Sequence, residues 1–314
     1  MSSAFLFPGQ GAQTPGFLDA LPAHPAIDRT LETASAVLRR DARSLIKSDA
    51  VPRTEELQPA VLIAGVAYAL ALEEEGCVPQ FVAGLSVGTY SAAVVAGSIA
   101  FEDALRVVQC RAELMSQSFP AGYGLAAVLG LSESRVRNML SAQAAAGDNA
   151  YLAAVNAPAE IVLAGSDAAL DAAVDHARKL GATHARRLAV AVPSHCDLLA
   201  PAALELETAL ADVPVKPPRI QYIGNRRARA LKTAAQVREE LATNLAHPIL
   251  WHDSMTLLHE LGATLFVEMP PGEVLTALAR AAFPQEKAYA LSRLTPAAAC
   301  QLVSAHDRRD HGAH

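Results

Sequence analysis

The chain has 314 residues, 52% hydrophobic and 18% charged, with a formal net charge of −6 from 26 Lys and Arg against 32 Asp and Glu. That balance lies far from the low-hydrophobicity, high-charge signature of disorder, and the acidic total removes any global electrostatic basis for binding nucleic acid. No apolar run reaches the ~18 residues that span a membrane, and the start MSSAFLFPGQG has no basic segment leading into a long apolar one, so a soluble, cytoplasmic globular protein is expected.

Short apolar runs at residues 4–7, 81–85, 219–223, 264–267 and 288–291 alternate with helical patterns, the order of a mainly parallel sheet covered by helices. After the first run comes Gly9-Gln10-Gly11, but Thr14 stands where a dinucleotide-binding loop needs its third glycine. No Walker lysine follows a glycine-rich turn either, so neither a nicotinamide nor an ATP cofactor is indicated. A helix over about 58–75 ends at Gly76, ahead of Pro79. Between residues 124 and 190 the rhythm changes to strand 125–129, helix 133–143, strands 151–156 and 161–164, helix 167–180 and strand 185–190. This βαββαβ string has the ferredoxin-like order. The predicted fold class is α/β, with a discontinuous large domain of residues 1–123 and 191–300, an inserted small domain of 124–190, and a flexible tail at 301–314.

Residues 84–88 read Gly-Leu-Ser-Val-Gly, between the apolar run 81–83 and a helical stretch over 90–97. A G-x-S-x-G turn between strand and helix is the setting of a nucleophile elbow, where flanking glycines permit a sharp turn and the serine projects beyond the carboxyl edge of the sheet. The amino end of the next helix would face an oxyanion forming there. Ser86 is the candidate nucleophile; the alternative is a serine that only fills a tight turn.

A serine hydroxyl needs a base. Of ten histidines, His24 precedes the motif, His176 and His184 belong to the small domain, His306, His311 and His314 to the tail, and His247, His252 and His259 to a helical stretch around Trp251. His195 follows an expected strand at 188–192 through Pro193 and Ser194, where the chain leaves a sheet edge, and is the preferred base. Asp197, two residues on, could not readily face the ring, which points to a dyad oriented by a backbone carbonyl. Cys77, Cys110, Cys196 and Cys300 form neither a C-x-x-C pair nor a zinc-ligand pattern, so no disulfide frame and no metal is indicated; Cys196 reads as packing more readily than as a nucleophile.

From Phe101 the sequence FEDALRVVQCRAELMSQS places Ala104, Val107, Val108 and Met115 on one helical stripe, with Arg111 on it too. A buried guanidinium demands a partner. The residues alone favour an internal salt bridge from another element; a bidentate contact to a substrate carboxylate is the alternative.

These motifs resemble the malonyl-CoA:acyl carrier protein transacylase family: Phe7-Pro8-Gly9-Gln10-Gly11-Ala12-Gln13, the 84–88 elbow, Gln109-Cys110-Arg111, Val155-Asn156-Ala157-Pro158, Val192-Pro193-Ser194-His195-Cys196, and the stretches 244–251 and 268–275. The resemblance implies a hydrolase-like domain carrying a ferredoxin-like insert, and an acyltransferase that moves malonyl from malonyl-CoA through a malonyl-serine to the thiol of an acyl carrier protein, with no cofactor. It implies Ser86 as the acylated nucleophile, His195 as its base, the backbone N–H groups of Gln10 and Val87 as the oxyanion hole, and Arg111 as the holder of the malonyl carboxylate. Asn244 stands where the family usually has a glutamine whose main-chain carbonyl orients the histidine. Leu85 and Thr89 replace the family's usual histidine and glutamate beside the nucleophile, and with Ala121-Gly122-Tyr123-Gly124-Leu125 they look most like the epsilon subunit of malonate decarboxylase, which serves the carrier subunit of its own complex. A fatty-acid or polyketide transacylase and an acyl-CoA thioesterase are the alternatives. The basic run Arg226, Arg227, Arg229 and Lys232 reads as a solvated face, or else as a surface for an acidic carrier.

Overall fold

The computed structural model describes residues 2–311 except 12, 14, 47–52, 120, 146 and 148. Ala12 and Thr14, both used in reading the motif after the first strand, lie outside the described residues. The chain first lays down β1 (Ser2–Phe7), α1 (Pro25–Leu38), α2 (Thr54–Glu74), β2 (Phe81–Gly84), α3 (Gly88–Val95) and α4 (Phe101–Ser118). The insert follows as β3 (Tyr123–Leu129), α5 (Glu133–Ala145), β4 (Ala150–Ala157), β5 (Glu160–Ser166), α6 (Asp167–Lys179) and β6 (His184–Arg187). The chain then returns as α7 (Ala200–Leu210), β7 (Gln221–Gly224), β8 (Arg229–Leu231), α8 (Ala234–Thr243), α9 (Trp251–Glu260), β9 (Ala263–Glu268), α10 (Val274–Ala282), β10 (Lys287–Ala290) and α11 (Pro296–His311).

The main sheet has the order β10-β9-β1-β2-β7-β8, parallel throughout except for the β7–β8 pair at one edge. β1 is apolar without a break from Ala4 to Phe7 because both its faces are covered there: Phe5 and Phe7 pack with the α2 side, Ala4 and Leu6 with Trp251, Met255 and Leu275 on the other. Burying each such large side chain contributes about 1.5–3 kcal/mol. α2 is long and apolar enough to cross a membrane, yet its residues 57–69 are all buried, so it serves as the central core helix of this layer.

The insert is an antiparallel sheet of order β4-β5-β3-β6 with α5 and α6 on one face, the ferredoxin-like arrangement. Along β3 the period of two sends Ala126 and Val128 under those helices, while Leu125, Ala127 and Leu129 line a cavity of about 1010 Å³ that also reaches Ser86 and His195. β4 joins the two bodies: Ile249 and β4 exchange backbone hydrogen bonds at Val155 and Ala153, of 2.8 and 2.9 Å.

Two expectations fail. The strand expected to continue through 188–192 stops at Arg187; past it only Leu188 keeps a bond to β3, at the Leu125 carbonyl, because the chain must leave the small sheet to carry His195 to the large one. Its apolar residues line cavities instead of extending a ladder. At the other end, α11 runs on to His311, so residues 301–311 are helical where a frayed tail was expected; Ala299 and Val303 anchor that helix in the main core.

Candidate active site

Phe7 of β1 and Gly84 of β2 stand opposite each other in parallel register, so the turn carrying Gln10 and the elbow carrying Ser86 leave the sheet side by side at its carboxyl edge. The elbow is tight. A Cβ on Gly84 would sit 2.1 Å from the Gly88 carbonyl group, and one on Gly88 would sit 2.2 Å from the Phe7 carbonyl oxygen. Ser86 itself is held at φ 54°, a left-handed conformation that a side chain rarely adopts, and His195 at φ 64°.

These turns bring the pair together. Ser86 Oγ lies 2.7 Å from His195 Nε2, and His195 Nδ1 lies 2.9 Å from the Asn244 carbonyl oxygen. A carbonyl only accepts, so Nδ1 carries the proton and Nε2 offers its lone pair to the serine hydroxyl. Burial, and next the charge of Arg111, push the His195 pKa down to about 3 against the opposing pull of the Asn244 carbonyl. The imidazole is therefore neutral, the state a general base requires.

Arg111, on α4, is 1% exposed. Among the described residues it meets no carboxylate: Nη1 donates to Gln58 Oε1, Nη2 reaches Ser86 Oγ at 3.4 Å, and Nε has no partner. The internal salt bridge that the residues alone favoured is absent among the described residues. A buried cation that meets no anion among the described residues, within reach of the nucleophile, has the chemistry to accept an anionic group. The Val87 amide opens α3, and neither it nor the Gln10 amide donates a backbone hydrogen bond among the described residues, which leaves both free to face an oxyanion.

Other candidates fall away on geometry. The Cys196 thiol turns to the Pro193 carbonyl at 3.5 Å, and burial pushes its pKa up to about 12. His259 faces Glu286 at 3.1 Å and stacks on Phe283; His24 caps α1. Arg226, Arg227 and Arg229 converge on Glu239 at 2.7, 3.1 and 3.4 Å, so that basic run is partly neutralised from within.

The structure adds Gln58, Asn225 and Tyr222, which the sequence did not single out, and gives Thr89 its partner. Gln58 orients Arg111 and is itself fully buried. Asn225 donates to the Gly84 carbonyl and accepts from Asn244 Nδ2 at 2.6 Å, tying the strand before the nucleophile to the residue that orients the base. Thr89 and Tyr222 form a buried pair in which the Tyr222 hydroxyl donates to the Thr89 carbonyl at 2.8 Å and accepts from the Thr89 hydroxyl. A polar Gln58 inside the apolar run 57–63 carried a readable signal; Asn225 did not, since Gly84 and Asn244 lie 141 and 19 residues away.

A mainly parallel sheet with a ferredoxin-like insert, and a serine, a neutral imidazole and a guanidinium that meets no carboxylate among the described residues converging beside the cleft between them, defines an acyltransferase. The chain belongs to the acyl transferase domain family, whose pattern matches residues 4–313, and within it to the malonyl CoA-acyl carrier protein transacylases. It is 35% identical over 283 residues to the malonyl CoA-acyl carrier protein transacylase of Escherichia coli (strain K12), covering 88% of this chain and 91% of that one. An acyl-carrier-protein S-malonyltransferase from Burkholderia pseudomallei 1710b superposes with a TM-score of 0.91 at 35% identity, covering 97% of this chain and 100% of that one. A malonyl-transacylase solved in complex with its type II PKS acyl-carrier protein superposes with a TM-score of 0.90 at 32% identity, covering 95% and 99%.

Proposed function

We propose that this protein takes malonyl from malonyl-CoA onto Ser86 and passes it to the thiol of an acyl carrier protein. The observation that carries this reading is the buried Arg111 guanidinium, without a carboxylate of its own among the described residues and 3.4 Å from Ser86 Oγ. In the first half-reaction His195 Nε2 accepts the hydroxyl proton as Ser86 Oγ bonds to the thioester carbon. The oxyanion rests on the Gln10 and Val87 amides, and Asn244 stabilises the imidazolium through its carbonyl. The C–S bond then breaks, and the departing coenzyme A thiolate takes the proton back from His195. In the second half the carrier thiol gives its proton to His195 as its sulfur bonds to the malonyl carbonyl carbon, and as the C–Oγ bond breaks His195 returns that proton to Ser86 Oγ. The charges and protons balance with the chain's own side chains, so the cycle uses no resident cofactor or metal.

The carrier we assign is the acyl carrier subunit of malonate decarboxylase, with this chain as a component of that complex in the cytoplasm. Leu85 and Thr89 support this branch: Leu85 gives the cavity wall beside the nucleophile an apolar side chain, and the Thr89–Tyr222 pair accommodates a neutral residue where relatives of the fatty-acid and polyketide type usually carry a glutamate.

Incubation with malonyl-CoA and peptide mass spectrometry should find malonyl on Ser86 and none in Ser86→Ala. Adding the malonate decarboxylase carrier subunit should move it to the carrier thiol, faster than to a fatty-acid carrier. Release of free malonate in place of carrier loading would instead make the protein a hydrolase, and equal or better use of the fatty-acid carrier would remove the branch assignment.

A further inference from the structure

The two ends of the site described above are joined at one hydroxyl. Gln10 Nε2 donates to Thr54 Oγ1 at 2.9 Å, and Gln58 Nε2 donates to the same oxygen at 2.8 Å. Gln10 stands on the turn after β1, and its backbone amide is one of the two oxyanion donors of the proposed cycle. Gln58, one helical turn beyond Thr54 on α2, offers Oε1 to Arg111 Nη1, and Arg111 Nη2 reaches Ser86 Oγ at 3.4 Å. A continuous polar chain therefore runs from the oxyanion turn through Thr54 to the carboxylate receptor and back to the nucleophile. Gln58 Nε2 also reaches Met115 Sδ at 3.4 Å, a weak acceptor that leaves the Thr54 oxygen as the stronger hold on the amide's rotation.

We propose that Thr54 is a positioning residue for specificity: its hydroxyl holds Gln58 so that Arg111 meets a distal carboxylate, and holds Gln10 so that the oxyanion donor is placed at the same time. This rests on the reading of Arg111 as a carboxylate receptor. A carboxylated acyl group would thus be bound at both ends by parts that share one anchor, whereas an acetyl group would use the Gln10 arm alone.

The test uses the full chain with Thr54→Val, which keeps the shape and removes the hydroxyl, Thr54→Ser, which keeps the hydroxyl, and Gln10→Leu, which cuts one arm. Serine acylation by malonyl-CoA and by acetyl-CoA is measured for each. Thr54→Val should lose about three- to tenfold with malonyl-CoA and less with acetyl-CoA, lowering the malonyl preference, because released side-chain amides lose the net worth of one hydrogen bond each. Thr54→Ser should restore both the rate and the preference. Gln10→Leu should slow both substrates alike and leave the preference unchanged. The proposal is overturned if Thr54→Val keeps the wild-type preference, if Thr54→Ser is impaired as much as Thr54→Val, or if Gln10→Leu leaves both rates untouched. That last arm decides the matter even where Thr54→Val does not fold. Failure of the underlying reading shows separately, as an Arg111→Ala variant whose discrimination between the two substrates is unchanged.

Discussion

Arg111 acts on its neighbours through charge in two directions. In the proposed cycle it offers the substrate a guanidinium that meets no carboxylate among the described residues; toward His195 it opposes protonation, second only to burial in holding the imidazole neutral. Arg111→Ala should therefore lower acylation by malonyl-CoA by roughly one to two orders of magnitude, the worth of a charged hydrogen bond of about 1.5–3 kcal/mol, while acetyl-CoA loses little. The same substitution has a signed effect on pH dependence. Removing a positive charge favours the imidazolium, so the His195 pKa rises and the acid-side fall of acetyl-CoA acylation moves to higher pH than in wild type. Rates with both thioesters from pH 4 to 8 check this; an unmoved acid limb would remove Arg111 from the electrostatics of the base. Ser86 and His195 were legible as residues because each follows a local pattern, a G-x-S-x-G turn and a Pro-Ser-His exit from the insert. Arg111 was legible only as an anomaly on an apolar stripe, and its lack of a carboxylate partner among the described residues became visible only once the fold had placed its neighbours.

At the scale of elements, continuous apolar runs gave away β1 and β2, since parallel strands covered on both faces carry no polar period, and the alternation along β3 matched a sheet with one helical face. The segment 188–192 misled for the same reason in reverse: its apolar side chains line cavities beside the site, so composition mimicked a strand where backbone pairing ends. The polar tail sequence likewise hid a helix held by Ala299 and Val303. The β2–α3 elbow makes a direct prediction. Gly88→Ala places a methyl 2.2 Å from the Phe7 carbonyl oxygen, a backbone atom in the central strand that cannot swing away. β1 and α3 must separate, at the 1–3 kcal/mol or more typical of overpacking, and Ser86 moves with α3. The urea midpoint should fall and malonyl labelling of Ser86 should drop; a variant with both at wild-type values would show that the elbow tolerates more space than its geometry allows.

Over the whole molecule, the insert sits in the sequence between nucleophile and base, and the chain's return from it delivers His195 to a buried position at the sheet edge. Folding therefore takes a histidine with an ordinary pKa of 6.5 and holds it neutral, with its folded-state pKa at about 3. The sign follows from which state binds the proton. Above pH 6.5 the ring is neutral in both states and folding costs no proton. Between 6.5 and about 3 the unfolded chain takes up a proton that the folded chain refuses, so stability is lost as pH falls, on the order of 1.4 kcal/mol per pH unit for this one group. Glu240 and Glu268 work against it: burial raises both carboxyls, so they favour the folded state as the medium becomes more acidic through the range just above 4.5. Their contribution is common to wild type and to His195→Gln, and comparing the two isolates the histidine. Urea midpoints at pH 7.5 and pH 5 should fall further in wild type than in the variant. Equal losses in both would mean that the imidazole is not held neutral by the fold, and the general-base role would then lack its electrostatic ground.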